Sequence, residues 1–171
     1  MGQASPKEQE SNRPKVPPEN QRRIEMSPAQ KQLLLAKPLN EVKKATWKVF
    51  SEYIRRRYAD QQGVAICCSC KKPKHWKELQ AGHWPSIDGR NNSILFAEKG
   101  VHQQCGQCNT YRHGNPAGYD EYMHEHYPQK VMDDLLKLKH KTVIYDKNDY
   151  IKMIDKWMAK IQTFDEGQNY R

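Results

Sequence analysis

Two stretches near the start of the chain carry the marks of helices. Over residues 39–60 apolar positions recur at roughly helical spacing, at Val42, Ala45, Trp47, Val49, Phe50, Tyr53, Ile54 and Tyr58. This spacing predicts an amphipathic helix that Gly63 closes. Ser27 followed by Pro28 is typical of a helix N-cap and first turn, and it predicts a shorter helix to about Ala36.

The last third of the chain is also predicted to be helical. We expect three helices there, over Pro116–Tyr127, from Gln129 to about His140, and over about Asn148–Phe164. One face of the third helix carries Ile151, Ile154, Trp157, Met158 and Ile161. An apolar stripe of this kind predicts core residues.

The middle of the chain is predicted to be short extended segments. Val64–Ile66 predicts one strand, and further extended segments lie near Leu79–His83 and Ile94–His102. The residues between the last two segments favour turns, namely Pro85, Asp88, Gly89, Asn91 and Asn92. A β-hairpin with a long loop is therefore expected. After it, Asn109–His113 predicts the first turns of a helix that stops near Gly114.

Residues 1–27 differ from the rest because they are rich in proline and polar residues and almost free of apolar ones. Such a segment buries too little apolar surface to offset the entropy of ordering, so we predict a disordered tail. The expected fold class is α+β. Four regions are expected: the tail (1–27), a basic helical region (28–62), a core rich in cysteine and histidine (63–118) and a C-terminal helical region (119–171).

Charge narrows the range of partners. The 171 residues contain 29 Lys and Arg against 20 Asp and Glu, and the excess of nine positive charges lies within residues 28–118. A field of this sign attracts polyanions, most often nucleic acid, although surplus lysines on a solvated surface give the same count. No apolar run approaches the roughly 18 residues of a membrane span, and no secretory signal is visible. We therefore expect a cytoplasmic protein.

The cysteines predict a zinc site. Cys67 and Cys70 form one Cys-x-x-Cys pair, Cys105 and Cys108 form another, and Cys68 is left over. An odd cysteine count without a visible signal peptide argues against a disulfide framework. Two such pairs supply the four sulfur ligands that a structural zinc prefers, with reduced thiols or a redox pair as the alternative.

Histidine and asparagine residues beside this zinc site suggest phosphodiester hydrolysis. His83 has an ordinary pKa near neutrality and suits the base that deprotonates water. Asn109 and His113 are four residues apart, so on a helix they share one face and can hold a divalent ion there. His83, on the hairpin, can point into the same space. The alternative is that these residues only form hydrogen bonds around the zinc fold.

Four segments together resemble a known family. The chain has a Cys-x-x-Cys turn (a knuckle), a hairpin, a second Cys-x-x-Cys knuckle and a helix in that order. This order, with Gly82-His83 and Cys108-Asn109, resembles the HNH (ββα-metal) nucleases in their zinc-stabilised treble-clef form. Within that group, the chain is similar to the phage NinG (Rap) recombination proteins over about residues 40–127. The segments that carry the resemblance are Trp47–Arg55, Leu79–His83, Val101–Cys105 and Cys108–Asn115.

The resemblance implies a structure-selective endonuclease that acts on branched DNA in phage recombination. A more distant similarity, to the phage junction-resolving endonuclease VII, implies roles for individual residues. By it, Cys67, Cys70, Cys105 and Cys108 hold a structural zinc, Asn109 binds a catalytic Mg²⁺ or Mn²⁺, and His83 is the general base. Residues 63–118 would then be the HNH-like nuclease core, in a phage or prophage protein acting in the host cytoplasm.

One position departs from the family pattern. In many HNH nucleases an acidic metal ligand immediately precedes the base histidine, and here that position is Gly82. Either His83 is itself a ligand and another group activates water, or a carboxylate comes from elsewhere. Asp88 and Glu98 are the local options.

The predicted function is metal-assisted hydrolysis of branched DNA, such as Holliday junctions and D-loops. Candidate contacts to the DNA backbone are Arg55, Arg56, Arg57, Lys71, Lys72, Lys74, Arg90 and Arg112. Such contacts position a duplex without reading its sequence. The C-terminal helices are a candidate homodimer interface. The alternatives are a zinc-dependent DNA-binding recombination accessory protein without catalysis, and an interaction module without affinity for DNA.

Overall fold

Helices and two small sheets alternate along the chain in this computed structural model, which describes residues 25–87 and 92–169. The elements are α1 (Pro28–Leu35), α2 (Leu39–Arg56), β1 (Val64–Ile66), β2 (Pro73–His75), β3 (Leu79–His83), α3 (Asn92–Leu95), β4 (Val101–Cys105), α4 (Pro116–His126), α5 (Gln129–Lys139) and α6 (Lys147–Asn169). Short 3₁₀ turns lie at Trp76–Glu78 and Glu98–Gly100, and a π-helical segment lies at Gln107–Tyr111. The predicted α+β class is confirmed.

Each sheet is a pair of antiparallel strands. In the first, β1 pairs with β2, and Ala65 lies opposite Lys74. In the second, β3 pairs with β4, and Gly82 lies opposite His102. Side chains alternate between the two faces of a strand, so Gly82 shares a face with residues 80, 102 and 104, whereas His83 lies on the other face.

The predicted hairpin exists, but its second strand is shorter than expected. Residues 92–95 form the one-turn helix α3, and β4 begins only at Val101. A helical turn suits this segment because it directs neighbouring apolar side chains into different clusters. Ile94 packs with α4 and α5, whereas Leu95 and Phe96 pack with α2 and α6.

The largest apolar cluster joins three of the four predicted regions. Phe50 of α2 packs against Trp157 of α6, with ring centroids 4.4 Å apart and the ring planes tilted by 47°. Phe96 and Val101, from the cysteine-rich region, complete the same cluster. The helical regions therefore share one core with the segment that carries the cysteines, and they hold its hairpin from one side.

Residues 26 and 27 are part of the folded structure. Ser27 caps α1 through a reciprocal pair of hydrogen bonds with Gln30, as its position before Pro28 predicts. Met26 is buried against α6, and its backbone N–H donates to Asp155 Oδ1 at 3.0 Å. The prediction of a tail extending to residue 27 is therefore wrong for Met26 and Ser27, and residues 1–24 lie outside the described part of the chain.

Within residues 25–87 and 92–169, no helix combines the length and the uninterrupted apolar character that crossing a bilayer requires.

Candidate functional site

Four cysteine side chains converge where the first sheet meets the end of β4. The Sγ atoms of Cys67, Cys70, Cys105 and Cys108 all lie within 4.8 Å of one another. The Sγ atoms of Cys70 and Cys105 are 3.8 Å apart. A tetrahedron of sulfurs around zinc, with Zn–S bonds of about 2.3 Å, has edges of about 3.8 Å. The cluster can therefore hold a zinc ion.

The backbone prepares the first Cys-x-x-Cys pair for this role. Lys71 adopts a left-handed conformation (φ +60°), and the turn is closed by its N–H, which donates to the Cys67 carbonyl at 2.9 Å. The N–H of Cys105 donates to Cys67 Sγ at 3.3 Å. Burial raises the pKa of the Cys67 thiol, and a bound zinc would favour the thiolate instead.

The fifth cysteine, which the two Cys-x-x-Cys pairs leave over, lies outside the cluster. Cys68 is buried on the side of α4, and its Sγ lies 3.6 Å from Ser69 Oγ. It contributes to packing among Ile94, Tyr119 and Met123.

Asn109 lies in the π-helical segment and is held by the hairpin. Its Nδ2 donates to Gln80 Oε1 at 2.7 Å, and the same oxygen accepts from the Thr110 hydroxyl at 3.0 Å. Gln80 thus orients Asn109. The sequence pattern did not single out Gln80. Its position two residues before Gly82 on β3 is the signal that its side chain lies on the same face of the strand as Gly82.

His113 does not share a helix face with Asn109, so that expectation is wrong. The π-helical segment ends at Tyr111, and His113 is an exposed residue with a left-handed backbone (φ +49°). The chain leaves the helix because the N–H of Gly114 turns back to the carbonyls of Cys108 and Asn109. A metal-binding role for His113 remains a prediction from the sequence.

Gly82 marks the tightest space in the site. A Cβ placed there would lie 1.9 Å from Gln104 Oε1 and 2.9 Å from Asn109 Oδ1. An acidic side chain therefore does not fit at this position while Gln104 keeps its place. Gln104 is fully buried, and its Oε1 has no hydrogen-bond partner among the described residues. These two side-chain oxygens, one of them buried and without a hydrogen-bond partner, are ligands that suit a hard divalent cation.

His83 lies on the opposite face of β3. Its ring is stacked on Trp47 of α2, with centroids 5.2 Å apart, and its Nε2 lies 3.1 Å from the Leu95 carbonyl. The expectation that His83 points into the space beside Asn109 is therefore wrong. Because a carbonyl only accepts hydrogen bonds, Nε2 carries the proton and Nδ1 keeps the basic lone pair. Burial lowers the pKa of His83, so the ring is neutral near pH 7.

The sequence matches the family described as bacteriophage lambda NinG protein over residues 3–167. The chain belongs to the NinG family. The match confirms the resemblance that the knuckle and hairpin segments suggest, and it indicates a phage recombination-related protein. Comparison with curated proteins and with solved structures returned no match.

In this NinG-family chain, Glu98 is not free to act as the missing carboxylate. Its oxygens accept from Lys156 and Lys160, each at 2.8 Å, and from the Tyr53 hydroxyl at 3.0 Å. Although burial opposes ionisation, the two lysines lower the pKa of Glu98 to about 2. The carboxylate therefore anchors α6 against α2. Asp88, the other local option, lies outside the described residues.

The basic side chains of this NinG-family chain divide into internal and exposed groups. Arg57 differs from the expectation of a DNA contact, because its guanidinium donates inwards to the carbonyls of Glu98 (3.0 Å) and Val101 (2.7 Å). Arg56 pairs with Glu52 and Asp165. The remaining described candidates reach the surface, namely Arg55, Lys71, Lys72, Lys74 and Arg112. Of these, Arg55 lies over the Trp76 ring, Lys71 pairs with Glu125, and Lys74 pairs with Glu78. Arg90 lies outside the described residues.

His102, for which the sequence indicates no partner, ties the hairpin of the NinG-family chain to α4. It is fully buried between the hydroxyls of Tyr119 (3.0 Å from Nδ1) and Tyr127 (2.9 Å from Nε2). The Tyr119 hydroxyl donates to the Gly82 carbonyl at 2.9 Å, so it accepts from His102 Nδ1–H. This chain of hydrogen bonds holds β3 in place directly beside the tight space at Gly82.

Proposed function

We propose that this NinG-family protein is a divalent-metal-dependent endonuclease that hydrolyses phosphodiester bonds in branched DNA recombination intermediates, such as Holliday junctions and D-loops. One observation carries the proposal. Consecutive residues of β3 provide a neutral histidine with a defined basic nitrogen and, at Gly82, a space where the oxygens of Asn109 and Gln104 converge. Metal-assisted hydrolysis requires both a base and an oxygen-rich cation site, and β3 carries one on each of its two faces.

The residues of the chain have separable tasks in this mechanism. His83 Nδ1 accepts a proton from water, while Leu95 and Trp47 hold the ring in one tautomer and one orientation. Asn109, held by Gln80, offers Oδ1 as a ligand. A bound Mg²⁺ or Mn²⁺ would stabilise the negative charge that develops on the phosphate and the leaving oxygen. The cysteine cluster, with zinc, would hold the π-helical segment that carries Asn109.

We further propose that the core adopts the zinc-stabilised HNH arrangement. The described chain runs from a Cys-x-x-Cys turn through the β3–β4 hairpin to a second Cys-x-x-Cys and a helix, which is the order that this arrangement requires. The exposed Lys72 and Arg112 are the best candidates for phosphate contacts, because neither has an acidic partner among the described residues. Such contacts recognise DNA shape without reading its sequence.

Cleavage of synthetic DNA tests the proposal directly. A labelled four-way junction, a flap and a linear duplex are each incubated with the zinc-loaded protein, with and without Mg²⁺ or Mn²⁺. We expect metal-dependent cutting of the branched substrates that is lost in His83→Ala and retained in His124→Ala, an exposed histidine on α4. Equal zinc content in both variants controls for folding.

The same assay separates the nuclease from the DNA-binding alternative. Tight binding of the junction without cutting, under any divalent ion, would favour an accessory protein that needs only zinc. Absence of salt-dependent affinity for DNA would contradict both functions.

A further inference from the structure

The side-chain oxygen of Gln104 is an unsatisfied acceptor in the middle of the site. Gln104 Nε2 donates to the Gly114 carbonyl at 2.7 Å and to Ser69 Oγ. Because the carbonyl only accepts, rotating the amide by 180° would set two oxygens against each other. The orientation of the amide is therefore determined, and Oε1 is the atom left without a partner. A buried acceptor of this kind destabilises the fold unless something binds it.

A second oxygen faces the same point. With Nδ2 of Asn109 engaged by Gln80, its Oδ1 is directed toward Gly82. Both oxygens lie within 2.9 Å of the position that a Cβ of Gly82 would occupy. Both oxygens carry a partial negative charge, so a cation bound between them would be attracted by both.

We propose that Gln104 Oε1 and Asn109 Oδ1 are ligands of the same Mg²⁺ or Mn²⁺, with Gln104 replacing the carboxylate that precedes the base histidine in many HNH nucleases. The inference rests on the proposed function and adds a residue to its metal site. Gly82 is then required, because any side chain there would displace the Gln104 oxygen. Two neutral oxygens bind a hard cation weakly, and DNA phosphates would add to the affinity that these oxygens provide.

Gln103 provides a matched comparison on the same strand. It is also buried, its Nε2 donates to the Ile66 carbonyl at 3.1 Å, and its Oε1 is likewise unpaired among the described residues. However, it lies on the opposite face of β4, away from Asn109. A buried glutamine alone therefore does not define the site; the convergence with a second ligand oxygen does.

The test measures binding of Mn²⁺ to the protein, a quantity that does not depend on nuclease activity. The full-length, zinc-loaded protein is titrated with Mn²⁺, and free Mn²⁺ is followed by electron paramagnetic resonance for wild type, Gln104→Met and Gln103→Met. We expect Gln104→Met to weaken binding at least about tenfold and Gln103→Met to change it less than about twofold. Zinc content and Tm report whether each variant is folded.

A second measurement needs no variant. Mn²⁺ added to the wild-type protein broadens NMR signals of nearby protons, so the side-chain amides of Gln104 and Asn109 should broaden at lower Mn²⁺ concentrations than that of Gln103. The inference is wrong if the Gln104 amide broadens no more than the Gln103 amide, or if folded Gln104→Met binds Mn²⁺ as wild type does. If junctions are still cleaved in that case, the proposed nuclease function is retained. If no divalent ion supports cleavage by the wild type, the proposed function itself fails.

Discussion

The imidazole of His83 lies nearly parallel to the indole of Trp47, with ring centroids 5.2 Å apart and an angle of 16° between the planes. The contact joins the last residue of β3 to the middle of α2. It covers one face of the imidazole, while the Leu95 carbonyl fixes Nε2. α2, which packs against α6, thereby controls the solvation of the proposed base.

Replacing Trp47 should change the titration of His83. In Trp47→Leu, water reaches the imidazole, so the charged form is less penalised and the pKa of His83 rises toward its ordinary value of 6.5. NMR titration of the histidine ring protons measures this. Trp76→Leu is the control, because Trp76 stacks with Arg55 away from His83. An unchanged His83 pKa in Trp47→Leu would show that the indole does not desolvate the ring.

Cleavage should depend on pH through the same group. His83 must be neutral to accept a proton, and its pKa is lowered by burial, so activity should fall on acidification only below pH 6.5. Near pH 7 the acid side of the profile should already be flat. His83→Ala should lower the rate at least about 100-fold at neutral pH. Initial rates on a four-way junction between pH 5 and 8 would check this, and half-maximal activity above pH 6.5 would argue against His83 as the base.

Zinc should stabilise the fold through four of the five cysteines. Cys70→Ser removes one ligand, so we expect the bound zinc to be lost and Tm to fall by about 10 °C or more. Cys68→Ser is the matched control, because Cys68 is buried outside the cluster. It should retain zinc and lose only a few degrees. Elemental analysis and thermal denaturation measure both quantities; retention of zinc by Cys70→Ser would contradict the assignment.

Glu98→Gln should separate stability from catalysis. The folded-state pKa of Glu98, about 2, lies below the ordinary 4.5, so its ionised form stabilises the fold above pH 4.5 and this contribution is lost as pH falls toward 2. We expect Glu98→Gln to lose about 1–2 kcal/mol at pH 7, after allowance for solvent around Lys156 and Lys160. Urea denaturation should show the gap to wild type narrowing by pH 3.

Metal-dependent cleavage by Glu98→Gln provides the complementary measurement. Because Glu98 is engaged by Tyr53 and the lysines of α6, the folded variant should need no more Mg²⁺ than wild type. A large increase in the Mg²⁺ requirement would instead identify Glu98 as a metal ligand.

Local patterns predicted most of the helices. The C-terminal helices lie within a few residues of their predicted bounds, because turn residues and the spacing of apolar positions act over a few neighbours. The same reasoning failed at residues 92–95, where two apolar clusters, both built from distant elements, select a helical turn over a strand. It failed again at His113, where backbone hydrogen bonds of Gly114 end the helix early.

The sequence by itself determined the family, the α+β class and the four cysteines that converge. These properties follow from residue types and spacings that are close along the chain. Only the tertiary structure decided that His83 faces Trp47, that Arg57 and Glu98 are engaged internally, and that Gln104 fills the space over Gly82. The physical reason is that a strand offers two faces, and packing between distant elements selects which face each side chain meets.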